Sequence, residues 1–302
     1  MTTGPAWPGC HGVRLAGGAG LGTACGDPLL DASVLTAPVA AVTGPPIWEL
    51  HADVEVPGGR LEVDRRLVAR ADGVYVMVST SGPGVEVDVP RRRVTIEPGP
   101  DELRLQLLAT LALPLLLEDT GAVTLHGSAC ARDGRAVVVC GESGTGKSSL
   151  LVGLVDAGWQ AVSEDMCAVD LRGGQIRVWP GPPWVRRAKS ECGPRGAEVR
   201  FETPDKFAWD LQPWLVRTAM PVSHVVVLSP PDGEEPVLTP LATAVALPAL
   251  TPNATWLGPR DRRARHQFGP LLDLAAGAPV SRLCVPRSAS WLAQAVEIIS
   301  GL

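Results

Sequence analysis

Lysine is nearly absent from this chain. Of 27 basic residues only Lys147, Lys189 and Lys206 are lysines, and all the others are arginine. A lysine kept against that bias stands out, and Lys147 sits in a glycine-rich turn. Long apolar runs are also missing. The longest, Leu105 to Leu117, contains Gln106 and Pro114 and falls short of the ~20 residues that a membrane-spanning helix needs. The opening MTTGPAWPGCHGVRLAGG has no basic stretch followed by an apolar one, so no signal peptide is expected there. There is no excess of basic charge. A net charge of −5 and a pI of about 5.6 argue against nucleic acid or an anionic membrane as the main partner. Paired cysteine motifs are missing as well. The seven cysteines, at 10, 25, 130, 140, 167, 192 and 284, form no C-x-x-C pair, and Cys140 ends an apolar run. Reduced, mostly buried thiols in a cytoplasmic protein are the expectation.

The 302 residues are 45% hydrophobic and 20% charged, enough for a sizeable core in one large domain or two ordinary ones. Residues 1–46 are rich in Gly, Ala and Pro and read as largely irregular. Residues 47–100 read as a small β-rich domain. LEV (61–63), VYVMV (74–78), VEVDV (85–89) and RVTI (93–96) are parted by turn residues, which predicts a small antiparallel sheet. Residues 101–302 read as the main domain, led by a helix that Asp101 caps and that Pro114 ends or kinks. From Val123 the pattern becomes strand, loop, helix, strand. RAVVVC (135–140) is a continuous apolar strand, of the kind buried on both faces. A helix follows from about Lys147 to Ala157, with Gly158 at its end. WQAVSED reads as the next strand, finishing in two carboxylates, and CAVDLRGGQIRVWPG as a hairpin turning at Gly173-Gly174. SHVVVLSP (223–230) and SRLCV (281–285) read as strands, and a C-terminal helix closes the chain.

The strongest motif is Gly141, Glu142, Ser143, Gly144, Thr145, Gly146, Lys147, Ser148, with Ser149 after it. It matches G-x-x-x-x-G-K-[ST], the Walker A pattern, between a strand and a helix. Glycines let successive N–H groups converge on one anion, and the helix N-terminus adds its dipole. Lys147 is expected to reach the β- and γ-phosphates and the Ser148 hydroxyl to ligate Mg²⁺. The motif names a nucleotide, not a reaction. No N-K-x-D base-reading motif contains Lys189 or Lys206, and Gly144-x-Gly146 continues Lys-Ser-Ser, which excludes the dinucleotide pattern. Glu164 and Asp165 end the strand after the helix, and His126 precedes the loop strand. Carboxyl ends of strands share one edge of an open sheet, so the two acids should approach the loop. One carboxylate there can hold the Mg²⁺ and another can accept the proton of an incoming hydroxyl. His126 can orient that base or contact phosphate.

At these residues, LHGSACARDGRAVVVCGESGTGKSSLLVGLVDAGWQAVSED, the chain resembles the HPr kinase/phosphorylase family, and more closely its shorter HPr-kinase-related members, such as those of lasso-peptide and other peptide natural-product clusters. The resemblance implies an α/β fold: a phosphate-loop core like the C-terminal domain of HPr kinase, preceded by a smaller β-rich domain. It implies an ATP- and Mg²⁺-dependent transferase that phosphorylates a hydroxyl, typically serine, on a peptide or small protein. A lasso-type precursor peptide is the specific expectation, with no nucleic acid or membrane partner, and with a homo-oligomer in keeping with a family that is often multimeric. Carried over by position, Glu164 is the base, aided by His126, Lys147 serves phosphoryl transfer, and Ser148 and Asp165 serve the metal. The chain departs from the family in having Glu at position 164 in place of Asp, and in lacking the family's E-I-R-G-L-G-type segment, for which ECGPRG (191–196) is a poor substitute. HPr itself is therefore not the expected substrate. The competing readings are a small-molecule kinase on the same core and a nucleotide-binding regulatory module without transfer.

Three further groups are expected to be structural or solvated. Arg186-Arg187 beside Lys189 reads as a solvated basic loop, with a contact to γ-phosphate or to a substrate acid as the alternative. Trp179, Trp184, Trp209 and Trp214 lie in a Pro-rich stretch that reads as irregular, and they are expected to form a core aromatic cluster rather than a peptide groove. DRRARH (261–266) reads as an exposed charged helix or loop.

Overall fold

The computed structural model describes residues 14–17, 47–52, 66–69, 74–78, 84–91, 93–99, 101–108, 112, 114, 117, 121–230, 235–254, 260–286 and 291–302. Two units divide the chain: Met1–Gly121 with Trp256–Gln267, and Ala122–Thr255 with Phe268–Leu302.

The first unit holds a six-stranded sheet: β1 (Arg14–Gly17), β2 (Ile47–Ala52), β3 (Arg66–Ala69), β4 (Val74–Val78), β5 (Val85–Asp88) and β6 (Arg93–Ile96), in the order β1-β2-β6-β5-β4-β3. The β3–β6 part is the antiparallel meander that the turn spacing predicts. Asp88 fixes the last turn. Its carboxylate accepts the Arg91 backbone N–H at 2.9 Å and an Arg91 guanidinium N–H at 2.8 Å. Val85, Val87, Val94 and Ile96 are buried. Two expectations need correction. β1 lies in the stretch read as irregular, and the sheet is mixed, because β2 runs parallel to β6 and β1 parallel to β2. Parallel neighbours need long connections, so no local turn signal announces them. The LEV stretch lies outside the described residues. Helix α1 spans Asp101–Leu107.

The second unit is a mixed α/β assembly. Its elements are β7 (Val123–Leu125), β8 (Gly127–Arg132), β9 (Arg135–Gly141), α2 (Lys147–Asp156), β10 (Gln160–Ser163), β11 (Cys167–Asp170), β12 (Arg177–Val178), β13 (Trp184–Ala188), β14 (Val199–Glu202), β15 (Lys206–Asp210), β16 (Met220–Ser229), β17 (Val237–Pro240), α3 (Thr243–Leu250), α4 (Arg260–Gly277), of which the part from Phe268 belongs here, β18 (Val280–Cys284) and α5 (Trp291–Ser300). β9, β16 and β18 are parallel neighbours in the sheet. β8 pairs antiparallel with β9, and β10 antiparallel with β8. On the far side β12, β11 and β7 continue the sheet, which curls because β7 runs on into β8 through His126. Leu150, Leu151 and Leu154 of α2 pack with Val137, Val139, Leu228 and Leu283 of the sheet and Ile299 of α5. Each such leucine contributes roughly 1.5–3 kcal/mol of burial. Cys140 is fully buried, and burial pushes its thiol up to about 12, so it is a small core residue, as expected.

The tryptophan stretch is not irregular. It builds a separate antiparallel sheet in the order β13-β15-β14. Three strands of four or five residues, interrupted by Pro and Gly, are too short for a period-two pattern to show in the sequence. Trp184 meets Phe201 edge-on at 5.5 Å between centroids, and Trp209 meets Phe207 at 6.1 Å. The indole N–H of Trp209 is buried without a hydrogen-bond partner. Among the described residues no helix is long and apolar enough to cross a membrane.

Candidate functional site

Strand β9 delivers the loop. Its residues from Ala136 to Gly141 are all buried, so the chain leaves the sheet edge at a fixed point. The backbone then turns through Gly144 at φ +82° and Gly146 at φ +97°, conformations that only glycine adopts without strain. Gly146 caps α2. The Lys147 side chain folds back over the loop, and its Nζ donates to the carbonyls of Gly141 and Glu142, at 2.8 Å each. Burial lowers the lysine pKa, while the nearby carboxylates of Asp165 and Glu164 raise it.

The two acids arrive on a bent ribbon. β10 pairs with β8 and β11 pairs with β7, so residues 123–132 and 160–170 run antiparallel across a bend. At the bend, Glu164, Asp165 and Met166 face His126, Gly127 and Ser128. Gly127 is required there, because a Cβ would lie 2.4 Å from the Val139 carbonyl oxygen. Asp165 sits at φ +66°, a left-handed conformation that Asp tolerates better than most residues. This turns its carbonyl toward the facing strand, where it accepts the Gly127 N–H at 3.3 Å and a hydrogen from His126 Nδ1 at 2.9 Å. A carbonyl only accepts, so Nδ1 carries the hydrogen of this bond, and Nε2 is the ring nitrogen that it leaves unengaged.

The bend sends the two carboxylates different ways. Glu164 turns inward and accepts the Ser148 hydroxyl at 2.9 Å on Oε1. Its Oε2 is buried and makes no well-formed hydrogen bond. Burial, and then the charge of Asp165, push its pKa up to about 7, while the Arg186 charge and the Ser148 hydroxyl pull it back. Asp165 turns outward. Its carboxylate is paired with the Arg186 guanidinium, and Oδ1 lies 3.6 Å from His126 Nδ1.

All the residues singled out in the sequence therefore meet at one sheet edge: the Gly141–Ser149 turn, Glu164, Asp165 and His126. The reason differs from the expected one. The strand between β9 and β10 is the antiparallel β8, and it is this strand that places His126 between their carboxyl ends. The reading of Arg186 and Arg187 as a solvated loop is corrected. They lie on β13 with side chains only 14% and 11% exposed. Arg187 donates to the Ser149 hydroxyl at 3.0 Å and to the Cys192 carbonyl at 2.6 Å. Two consecutive arginines were the only signal in the sequence.

The donor set suits a hard divalent cation. The Ser148 hydroxyl and Glu164 are already in contact, and Glu164 Oε2 is buried without a well-formed hydrogen bond. Among the described residues no group of three or more His, Cys, Asp and Glu side chains is placed to hold a metal alone. A cation here would take its remaining ligands from phosphate and water, as Mg²⁺ commonly does.

No protein-family model and no curated protein matches the chain. Among solved structures it overlaps the Hpr(Ser) kinase/phosphatase from Coxiella burnetii with a TM-score of 0.36 and 13% identity, over 59% of this chain and 88% of that one. A likeness at that level does not by itself assign an activity.

Proposed function

We propose that this chain is an ATP-dependent phosphotransferase that moves the γ-phosphoryl group to a hydroxyl, typically serine, of a peptide or small protein, a peptide natural-product precursor being the leading candidate. The observation that carries the reading is the hydrogen bond from the Ser148 hydroxyl to Glu164 at 2.9 Å. It ties the first turn of the helix after a glycine-rich loop to a strand-end carboxylate, with Lys147 beside it.

The residues divide the work as follows. Gly141–Ser149 cradle the phosphates through backbone N–H groups, and Lys147 exchanges its loop carbonyls for phosphate oxygens. Ser148 and Glu164 would hold Mg²⁺, which when bound neutralises charge on the β- and γ-phosphates. Asp165 and His126 face outward and meet the acceptor hydroxyl. The proton passes to the Asp165 carboxylate or to His126 Nε2, which lies opposite the nitrogen fixed on the Asp165 carbonyl. This reverses the roles of the two acids that the family resemblance implies. The reason is that Ser148 contacts Glu164 while Asp165 is held by Arg186.

The test is incubation with γ-labelled ATP, Mg²⁺ and a library of Ser- and Thr-containing peptides, using the wild type and Lys147→Ala. Label on a peptide hydroxyl in the wild type and a loss of about 10²–10³-fold in the variant is the expected result. ATP binding with no label on any peptide would contradict peptide transfer.

A further inference from the structure

A loop of the Gly141–Ser148 pattern addresses phosphates through its backbone N–H groups and does not read a base, so on the nucleotide-binding reading whatever binds the base stands elsewhere on the same sheet edge. We propose that Trp291 is that element, an aromatic platform on which the adenine of the nucleotide stacks. The proposal rests on the nucleotide-binding reading and adds a binding residue to it.

Three observations place it. First, β18 runs parallel to β16, and β16 parallel to β9, with Val226 aligned on both Val139 and Ser281. The carboxyl end of β18 therefore emerges at the edge where the loop leaves β9, and α5 opens with Trp291 after that end. Second, the indole lies against the loop itself. A methyl group added at Gly146 would fall 2.7 Å from Cζ2 and 2.8 Å from Cη2 of Trp291. Gly146 is thus glycine for two reasons, its φ of +97° and the ring upon it. Third, Trp291 has no ring partner, whereas Trp159, Trp184 and Trp209 of this unit each have one. Trp159 lies under the Arg132 guanidinium at 4.7 Å and bonds Ser300 through Nε1. Trp184 and Trp209 pack edge-on against Phe201 and Phe207. Trp291 is half-buried at the margin of the core, and among the described residues its ring has no aromatic or cationic partner and its N–H no acceptor.

A ring in that position offers stacking to any purine or pyrimidine and hydrogen bonding to none in particular. It therefore supports affinity for a nucleoside triphosphate over bare polyphosphate, with little discrimination between bases.

The test compares two probes, ATP and inorganic tripolyphosphate, titrated calorimetrically into the full chain as wild type, Trp291→Leu and Trp291→Phe. Loss of a base–aromatic stack weakens binding about ten- to a hundredfold. The expected result is that loss for ATP in W291L, tripolyphosphate affinity unchanged within about threefold, and W291F close to wild type. A parallel loss for both probes would make Trp291 a packing residue of the loop and overturn the proposal, as would unchanged ATP affinity. Wild type that binds neither probe would fail the nucleotide reading as well. Should W291L not fold, the fluorescence of W291F decides. A quench seen with ATP but not with tripolyphosphate in wild type must vanish in W291F, and either its persistence there or its absence in wild type would overturn the proposal.

Discussion

The carboxylate pair Glu164–Asp165 has two sides, and they are put together differently. On the loop side, Lys147 and Ser148 come from one strand–turn–helix passage, and Ser148 meets Glu164 directly. On the other side, Asp165 gathers Arg186 from β13 and His126 from the junction of β7 and β8. Those three segments are far apart in sequence and belong to two sheets. The loop side is held by local backbone geometry. The other depends on tertiary register, on the tight fit at Gly127 and on the left-handed Asp165. One side can fail while the other survives, which makes the comparison testable.

The largest effect is expected on the loop side. Lys147→Ala should cut label transfer about 10²–10³-fold, the scale of removing one preorganised transition-state donor, as read in the γ-labelled assay. On the opposite side, Asp165→Asn and Arg186→Met should each cost about a hundredfold in kcat with ATP affinity changed by less than about threefold. The double variant should cost no more than the worse single one, because the two side chains act as a pair. Additive losses in a double-mutant cycle would deny the pairing.

Gly127→Ala should break both sides together. Its new Cβ would need the Val139 carbonyl to move from 2.4 Å, and overpacking of that kind costs typically 1–3 kcal/mol, read as a lowered Tm with a loss of activity. The smallest effect concerns pH. Glu164 ordinarily titrates near 4.5 and is pushed up to about 7 by burial. Between those values the folded chain holds a proton that the unfolded chain has released, so stability falls as pH rises through that window and levels off above it. Glu164→Gln should remove this slope and be more stable than wild type at pH 8 by about 1–2 kcal/mol. A wild-type Tm that rises from pH 5 to pH 8 relative to E164Q would contradict the buried, proton-holding state.

The sequence announced the loop side almost completely. A contiguous motif between an apolar strand and a helix ending in Gly158 has few alternative geometries, and the acids at 164 and 165 were expected at its edge, although the antiparallel β8 between β9 and β10 was not. The bend was not legible. Nothing in HGSA or SED states that Asp165 adopts a positive φ or that its carbonyl fixes His126. The β13 arginines were hidden for a different reason. Short strands broken by Pro and Gly leave no periodicity, and side chains that converge from separate sheets leave no spacing to read. In the first unit the antiparallel meander followed from its turns, whereas the parallel strands β1 and β2 depend on long connections that carry no local signal.

The most direct test of this two-sided site is to titrate ATP with and without Mg²⁺ into Glu164→Gln and Asp165→Asn and to assay each for label transfer. E164Q is expected to lose the Mg²⁺-dependent gain in ATP affinity, and D165N to keep that gain while losing transfer. The reverse pattern, with D165N losing the Mg²⁺ effect and E164Q keeping it, would contradict the assignment of the metal to Glu164 and restore the roles that the family resemblance implies.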